Sequence, residues 1–219
     1  MSAEEAARII LEAGAVYTRT EGEPFFFSSG WASPVFVDVK RLISLPEARD
    51  RLIDLALARI DAAFPPGSYA QIAGCELAGV PFAAIVADRR HLPLVVVMKQ
   101  EKGFGRLAQI EGRFAEGTAT LLLDDLTTDG RSKVRFRRAL EAAGAEVRGI
   151  FVLLDYGVFP GLSDIRSLVG LRDILAAARG PGRLDPAALA VFEAFVADAP
   201  GWSRAHGGIA QLPERSAVR

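Results

Sequence analysis

The chain has 219 residues, of which 50% are hydrophobic and 24% charged, with a formal net charge of −1. That suits one α/β domain with a modest add-on, or at most two small domains, and excludes a charge-driven hold on duplex DNA or an anionic membrane surface. The lone cysteine, Cys75, excludes an internal disulfide and cannot anchor a zinc cluster alone, so a reducing cytoplasm is the expected setting.

The first fifteen residues are acidic and amphipathic, with Ala6, Ile9, Ile10 and Ala13 on one helix face. They lack the basic start and continuous apolar stretch of a signal peptide, and no apolar run in the chain approaches the ~18 residues of a membrane span. Phe25 to Lys40 is rich in aromatic and β-branched residues, broken at Ser28-Ser29-Gly30 and Ser33-Pro34, and reads as a hairpin or two short strands. Ser44 with Glu47 fits a capping box, and Pro46 suits a first turn. The helix they start is expected to reach Phe64, with Ile53, Ala56, Leu57, Ile60 and Phe64 on one face.

From Tyr69 the pattern becomes βαβα. Strands are expected over 69–73, 94–98, 118–124 and 147–154, and helices over 80–90 and 132–143. This alternation argues for a parallel sheet with helices on both faces. A polar, glycine-bearing stretch fills 99–117. After Gly161 the pattern is less regular, with helices expected near 171–178 and 186–197.

The strongest chemical signal is Leu121-Leu122-Leu123-Asp124-Asp125-Leu126-Thr127-Thr128-Asp129-Gly130-Arg131-Ser132. An apolar strand ends in two carboxylates, then a loop of threonines and a glycine leads into a helix. Parallel sheets bind ligands at the carboxyl edge, and a helix N-terminus is a ready anion site. The layout therefore offers acids for hydroxyls or Mg²⁺ beside a cradle for one phosphate. It is not a Walker loop, because GxxxxGK[ST] is absent. The bland alternative is that the acids cap the helix and the loop is only a tight turn.

Acid-acid-hydrophobic-x-Thr-x-Gly-x-Ser after an apolar strand resembles the loop of type I phosphoribosyltransferases that binds phosphoribosyl pyrophosphate (PRPP). Three further stretches resemble the orotate phosphoribosyltransferase family. Ser29 to Asp38 is similar to its SGxxSPxY segment, and Ile72 to Pro81 to its pyrophosphate loop. Lys99 to Gly105, with Ile110-Glu111-Gly112, is similar to its mobile catalytic loop. The four segments follow the family's order and spacing.

The resemblance implies a type I phosphoribosyltransferase fold. Its central, mostly parallel sheet is flanked by helices, and a small hood is built from about 1–40 and parts of the C-terminal segment, in one domain over 1–219. It implies transfer of phosphoribosyl from PRPP to orotate, with Mg²⁺, by a cytoplasmic homodimer whose mobile loop reaches over the partner's site. Lys102, Asp124 and Asp125 are the implied catalytic residues. Lys99, Lys102, Asp124, Asp125, Thr127, Thr128, Asp129, Gly130, Arg131 and Ser132 would hold PRPP. Phe36 and Thr128 would meet the base, and the two acids would approach the metal indirectly. Positive charge develops on the sugar and negative charge on the leaving pyrophosphate, so carboxylates near the ribose and lysines near the pyrophosphate suit the chemistry.

Several positions depart from the family. Met98 stands where Arg is common, Phe104 where His is common, and Ser28 where some members carry Lys. Tyr156 stands where an Arg often recognises the orotate carboxylate; Lys40, Arg41 and Arg166 are candidate substitutes. Arg131 replaces a Gly or Thr inside the phosphate loop. Two other functions stay open: a phosphoribosyltransferase for another base, favoured by Tyr156, and a non-catalytic PRPP sensor, favoured by Met98 and Phe104. Trp31 reads as a lid over the base or an interface anchor. His91 and His206 read as surface residues, and Asp155 as a neighbour of the site or a solvated acid.

Overall fold

The computed structural model describes residues 2–101, 109–161, 164–180 and 183–212. Helix α1, Ser2–Glu12, buries Ala6, Ala7, Ile9 and Ile10; Ala13 lies just beyond it, half-buried. Four short strands follow: β1 (Val16–Thr18), β2 (Phe25–Phe26), β3 (Ala32–Ser33) and β4 (Val35–Val37). They form two small antiparallel pairs, β1 with β4 and β2 with β3, so the expected hairpin is joined by a second ribbon.

The expected capping box does not form. Val39–Ser44 winds into a 3-10 helix, and the Ser44 hydroxyl donates to the Arg41 carbonyl at 3.0 Å. Leu45 stands at the start of α2, Pro46–Ala63, with no side-chain cap. The preceding turn has already used the serine. Helix α2 buries Leu52, Ile53, Ala56 and Ile60, while Leu57 is half-buried and Phe64 lies past the end.

The central sheet holds β5 (Gln71–Cys75), β6 (Leu94–Val97), β7 (Ile110–Glu111), β8 (Ala119–Thr127), β9 (Glu146–Asp155) and β10 (Ile165–Gly170), in the order β10-β9-β8-β5-β6-β7. All pairings are parallel except β6 with β7. Helices α3 (Gly79–Arg90), α4 (Arg131–Ala142), α5 (Leu171–Ala178), α6 (Pro186–Ala197) and α7 (Ala199–Ala205) complete the chain. Two strands were not anticipated. β7 pins part of the stretch expected to be a loop, with Ile110 buried against the sheet. β10 was read as irregular, because Arg166 is exposed and Ser167 half-buried, which interrupts its apolar pattern.

Side-chain alternation on the strands makes two cores. Leu121, Leu123, Phe151 and Leu153 face α1, α2, α3 and α5. Leu122, Ile150 and Val152 face α4 through Phe136 and Leu140. β8 sits between β5 and β9, so whatever its C-terminal end carries is held from both sides.

The hood is tied to the sheet by Tyr156. Its ring is fully buried, edge-on to Phe27 with centroids 5.1 Å apart. Its hydroxyl accepts from the Val37 N–H at 3.1 Å and donates to the Val35 carbonyl at 3.4 Å. Tyr156→Phe keeps the ring and strands the buried Val37 N–H, while the Val35 carbonyl keeps the Ser33 hydroxyl at 2.7 Å. It should cost about 1–3 kcal/mol, read as a drop of roughly 2–4 °C per kcal/mol in a chain of this size. A melting curve identical to that of the unmodified chain would show that these bonds hold nothing.

Candidate active site

The apolar run of β8 continues through the acids to Thr127, so the carboxylates lie inside the strand and not after it. Both are buried, Asp124 at 5% and Asp125 at 6% exposure. Gly74 pairs with Leu123, which sets Cys75 level with Asp124. A Cβ on Gly79 would stand 2.6 Å from Asp124 Oδ1 and 2.8 Å from its Cα, so α3 approaches the acid as closely as only glycine permits. The Glu76–Leu77 peptide that leads into α3 is cis. Lys133, from the first turn of α4, places Nζ 2.5 Å from Asp124 Oδ2. The Asp125 N–H donates to Asp124 Oδ1 at 2.9 Å.

Burial first, and the charge of Asp124 and a hydrogen bond to it next, push Asp125 up to about 7; Lys133 and the Leu126 N–H pull the other way. Burial, followed by the charge of Asp124, pushes the Cys75 thiol well above its ordinary value, so it stays protonated and is no nucleophile. Asp155 is raised as well, mainly by burial, against the Gly157 N–H and Lys133.

The loop after β8 turns on Gly130, which has a left-handed φ of +80° and caps α4. Its N–H donates to Thr127 Oγ1 at 3.0 Å. Asp129 is buried and acts as a hub. Oδ1 accepts from the Arg131 N–H at 3.1 Å, and Oδ2 accepts from Arg131 Nε at 2.9 Å and Trp31 Nε1 at 3.0 Å. Arg131 Nη2 also donates to the Ser29 carbonyl. Ser29 Oγ and Thr128 Oγ1 lie 3.4 Å apart. Ser132 Oγ accepts from Lys133 Nζ at 3.1 Å, which leaves its proton free to donate.

The structure therefore brings Asp124, Asp125 and residues 127–132 into one constellation at the sheet edge. Arg131 neither hinders the loop backbone nor points outward alone; Asp129 and the hood hold it. Trp31 is neither lid nor interface anchor, because it is fully buried, bonded to Asp129 and stacked on Phe159 at 4.5 Å. Phe36 is half-buried on β4, in a row of rings with Phe25 at 5.7 Å and Phe27 at 6.5 Å. Lys99 joins the site through its backbone, its N–H donating to Glu76 Oε2 at 2.7 Å. Lys102 lies outside the described residues, as does Phe104. A cavity of about 590 Å³ borders Ser29, Arg131 and Arg204 and touches neither acid.

Lys133 was missed. Its signal was present, since 133, 136 and 140 share a helix face and a lysine on an apolar face is out of place. The partnership of Trp31 with Asp129, 98 residues apart, had no local signal.

No protein-family model matches the chain. The orotate phosphoribosyltransferase of Dinoroseobacter shibae is 40% identical over 210 residues, 91% of this chain and 92% of its own length. That of Agrobacterium fabrum is 39% identical over 222 residues, 97% and 94% of the two chains. The chain belongs to the orotate phosphoribosyltransferase family. The orotate phosphoribosyltransferase from Aeropyrum pernix has the same fold, with a TM-score of 0.67 at 29% identity over 78% of this chain and 96% of that one. Leishmania donovani UMP synthase shares the fold at a TM-score of 0.73 and 24% identity, over 90% of this chain and 42% of the longer one.

The raised Asp125 has a pH consequence in this phosphoribosyltransferase. Its folded value of about 7 lies above the unfolded value of about 4. Between these values the unfolded chain releases a proton that the folded chain keeps. The group's contribution is therefore full below about pH 4 and is lost as pH rises through about 7. Asn at this position carries no such dependence. The melting temperature of Asp125→Asn, relative to the unmodified chain, should climb from pH 4 to 7 and level off above 8. A difference that stays flat across that range would contradict the perturbed carboxyl.

Proposed function

We propose that the chain transfers the phosphoribosyl group of PRPP to orotate, giving orotidine 5′-monophosphate and pyrophosphate in UMP synthesis. The observation that carries this is the buried Asp124–Asp125 pair at the carboxyl edge, followed directly by the Thr127–Ser132 loop, in a chain about 40% identical to curated orotate phosphoribosyltransferases.

The acids accept hydrogen bonds from the ribose hydroxyls and lie near the carbon where positive charge develops. The 5′-phosphate is held by backbone N–H groups of the loop and the hydroxyls of Thr128 and Ser132, at the positive end of α4. Asp129 and Arg131 act from behind, shaping the loop through the contacts they already make. Lys99 and Lys102 meet the pyrophosphate. Among the described residues no three metal-binding side chains cluster. Asp124 and Asp125 are the carboxylates that would approach Mg²⁺, indirectly through water. When bound, Mg²⁺ neutralises charge on the departing pyrophosphate. Asp124→Asn with Asp125→Asn should abolish turnover of orotate with PRPP and Mg²⁺ at temperatures where the variant is folded, with stability lowered by about 3–5 kcal/mol because the buried Lys133 ammonium loses its carboxylate. A double variant with full activity would remove the acids from the reaction.

Phe36 offers a face for the pyrimidine and Thr128 a hydroxyl. Tyr156 is buried and cannot pair the orotate carboxylate. Arg41 is engaged by the Ala13 carbonyl and the Tyr17 hydroxyl, and Arg166 sits in the middle of β10. Lys40 remains, its ammonium 5.5 Å from the Phe36 ring centroid and 3.0 Å from Asp38. Orotate should be strongly preferred over uracil, which lacks the carboxylate, and Lys40→Met should raise KM for orotate about tenfold. Equal use of orotate and uracil, or of a purine alone, would favour the second reading, a transferase for another base.

The same reading makes the enzyme a cytoplasmic, one-domain homodimer. No helix among the described residues is long and apolar enough to cross a membrane. If Lys102 serves the partner's site, inactive Lys102→Ala and inactive Asp125→Asn complement each other after subunit exchange. About half of the dimers are mixed and each has one intact site, so roughly a quarter of normal activity returns. A mixture that stays inactive after verified exchange would place Lys102 in its own chain's site.

A further inference from the structure

Helix α4 turns Lys133, Phe136 and Leu140 inward, at i, i+3 and i+7. Two of the three are apolar and pack against the sheet. The third is a lysine at 4% exposure, at the end of the face nearest the acids. An ammonium in that position loses its water, and a hydrophobic side chain would fill the space without that loss. What it gains is specific. Nζ lies 2.5 Å from Asp124 Oδ2 and 3.1 Å from Ser132 Oγ. One side chain therefore touches both the acid pair and the first turn of the phosphate-loop helix. Asp125 and Asp155 are close enough to feel its charge.

At this point the sheet edge buries two carboxylates, Asp124 and Asp125, with the half-buried Asp155 further along on the neighbouring strand. A ribose phosphate brings further negative charge into the same space. Without an internal cation the acids would repel the ligand they are meant to grip. Arg131 cannot serve, because Asp129 and the Ser29 carbonyl hold it. We infer that Lys133 is the resident cation of the ribose-binding acids. By fixing Asp124 it orients the pair for ribose hydroxyls beside a phosphate and removes the need for a metal ion at the carboxylates. Lys133 is a positioning residue; it acts through Asp124 and does not touch the reacting atoms. The inference rests on the phosphoribosyl reading above.

The test is calorimetric titration of ribose 5-phosphate into the full chain in EDTA. The unmodified chain should bind it. Lys133→Gln should bind about tenfold more weakly or worse, and Lys133→Arg should recover most of the loss. In turnover assays Lys133→Gln should raise KM for PRPP while KM for orotate stays within about twofold, as expected for sites that do not share a partner. A general loosening of the fold would not make that split. In an Asp124→Asn background Lys133→Gln should add little, because its route has been removed. Should Lys133→Gln alone fail to fold, the comparison of Asp124→Asn with the double variant decides, since the double variant buries neither charge and Asp124→Asn leaves the Lys133 ammonium its bond to Ser132 Oγ at 3.1 Å.

Unchanged affinity in Lys133→Gln overturns the inference. So does a full additional loss in the Asp124→Asn background. A chain that binds ribose 5-phosphate only with Mg²⁺ also overturns it, and leaves the transferase reading intact. One that binds neither ribose 5-phosphate nor PRPP overturns both.

Discussion

Two adjacent carboxylates are buried inside the central strand, and burying charge is costly unless it is paired. Much of the site is an answer to that constraint. The Asp124 carboxylate takes the Lys133 ammonium on one oxygen and the Asp125 N–H on the other. Gly79 lets the start of α3 come within reach without a clashing side chain. Among the described residues Asp125 forms no ion pair of its own, and its raised proton affinity expresses the remaining cost. A ligand with hydroxyl donors would relieve it. Acids at an exposed loop tip would be hydrated already and would gain less from the same contact.

The second organising contact is Asp129. It joins three parts of the chain that are distant in sequence: the hood through Trp31, the phosphate loop through the Arg131 N–H, and the Ser29 carbonyl through the Arg131 side chain. The C-terminal segment closes on the same place. The Ile209 N–H donates to the Gly30 carbonyl at 3.0 Å, and Ser203 Oγ accepts from the Ala32 N–H at 3.0 Å. The N-terminal segment around Ser29–Ala32 is thus fixed relative to the loop after β8. Such fixing matters for a transfer between two bound partners, where orientation supplies a large share of the rate.

The sequence made some of this legible and hid the rest for physical reasons. Buried parallel strands are continuous apolar runs, so β5, β6, β8 and β9 could be found within about three residues at either end. The acids and the glycine of the loop were visible because charge after an apolar strand is unusual. β10 was not visible, because an exposed Arg166 interrupts its pattern. The cap at Ser44 failed because the local hydrogen bond competed with a 3-10 turn, which won. Lys133 was legible in principle, as a charge at an apolar helical position. Trp31 and Asp129 were not, since nothing local pairs residues across such a separation. Of the candidate site residues, Lys102 lies outside the described part of the chain, and 124, 125 and 127–132 stand together.

The departures from the family follow a common logic. Met98 is buried, and its backbone is locked to Gln109 in both directions, N–H to carbonyl at 2.8 Å and Gln109 Nε2 to the Met98 carbonyl at 3.2 Å. A charge at 98 would have to leave that packing. Tyr156 is the stronger case. Its ring lies between Phe27 and Phe159, and its hydroxyl holds β4. A guanidinium in that volume would be buried without a carboxylate among the groups that the tyrosine meets. A carboxylate on a ligand could not reach position 156 in this chain; what Tyr156 does instead is hold β4, the strand that carries Phe36, through its hydroxyl.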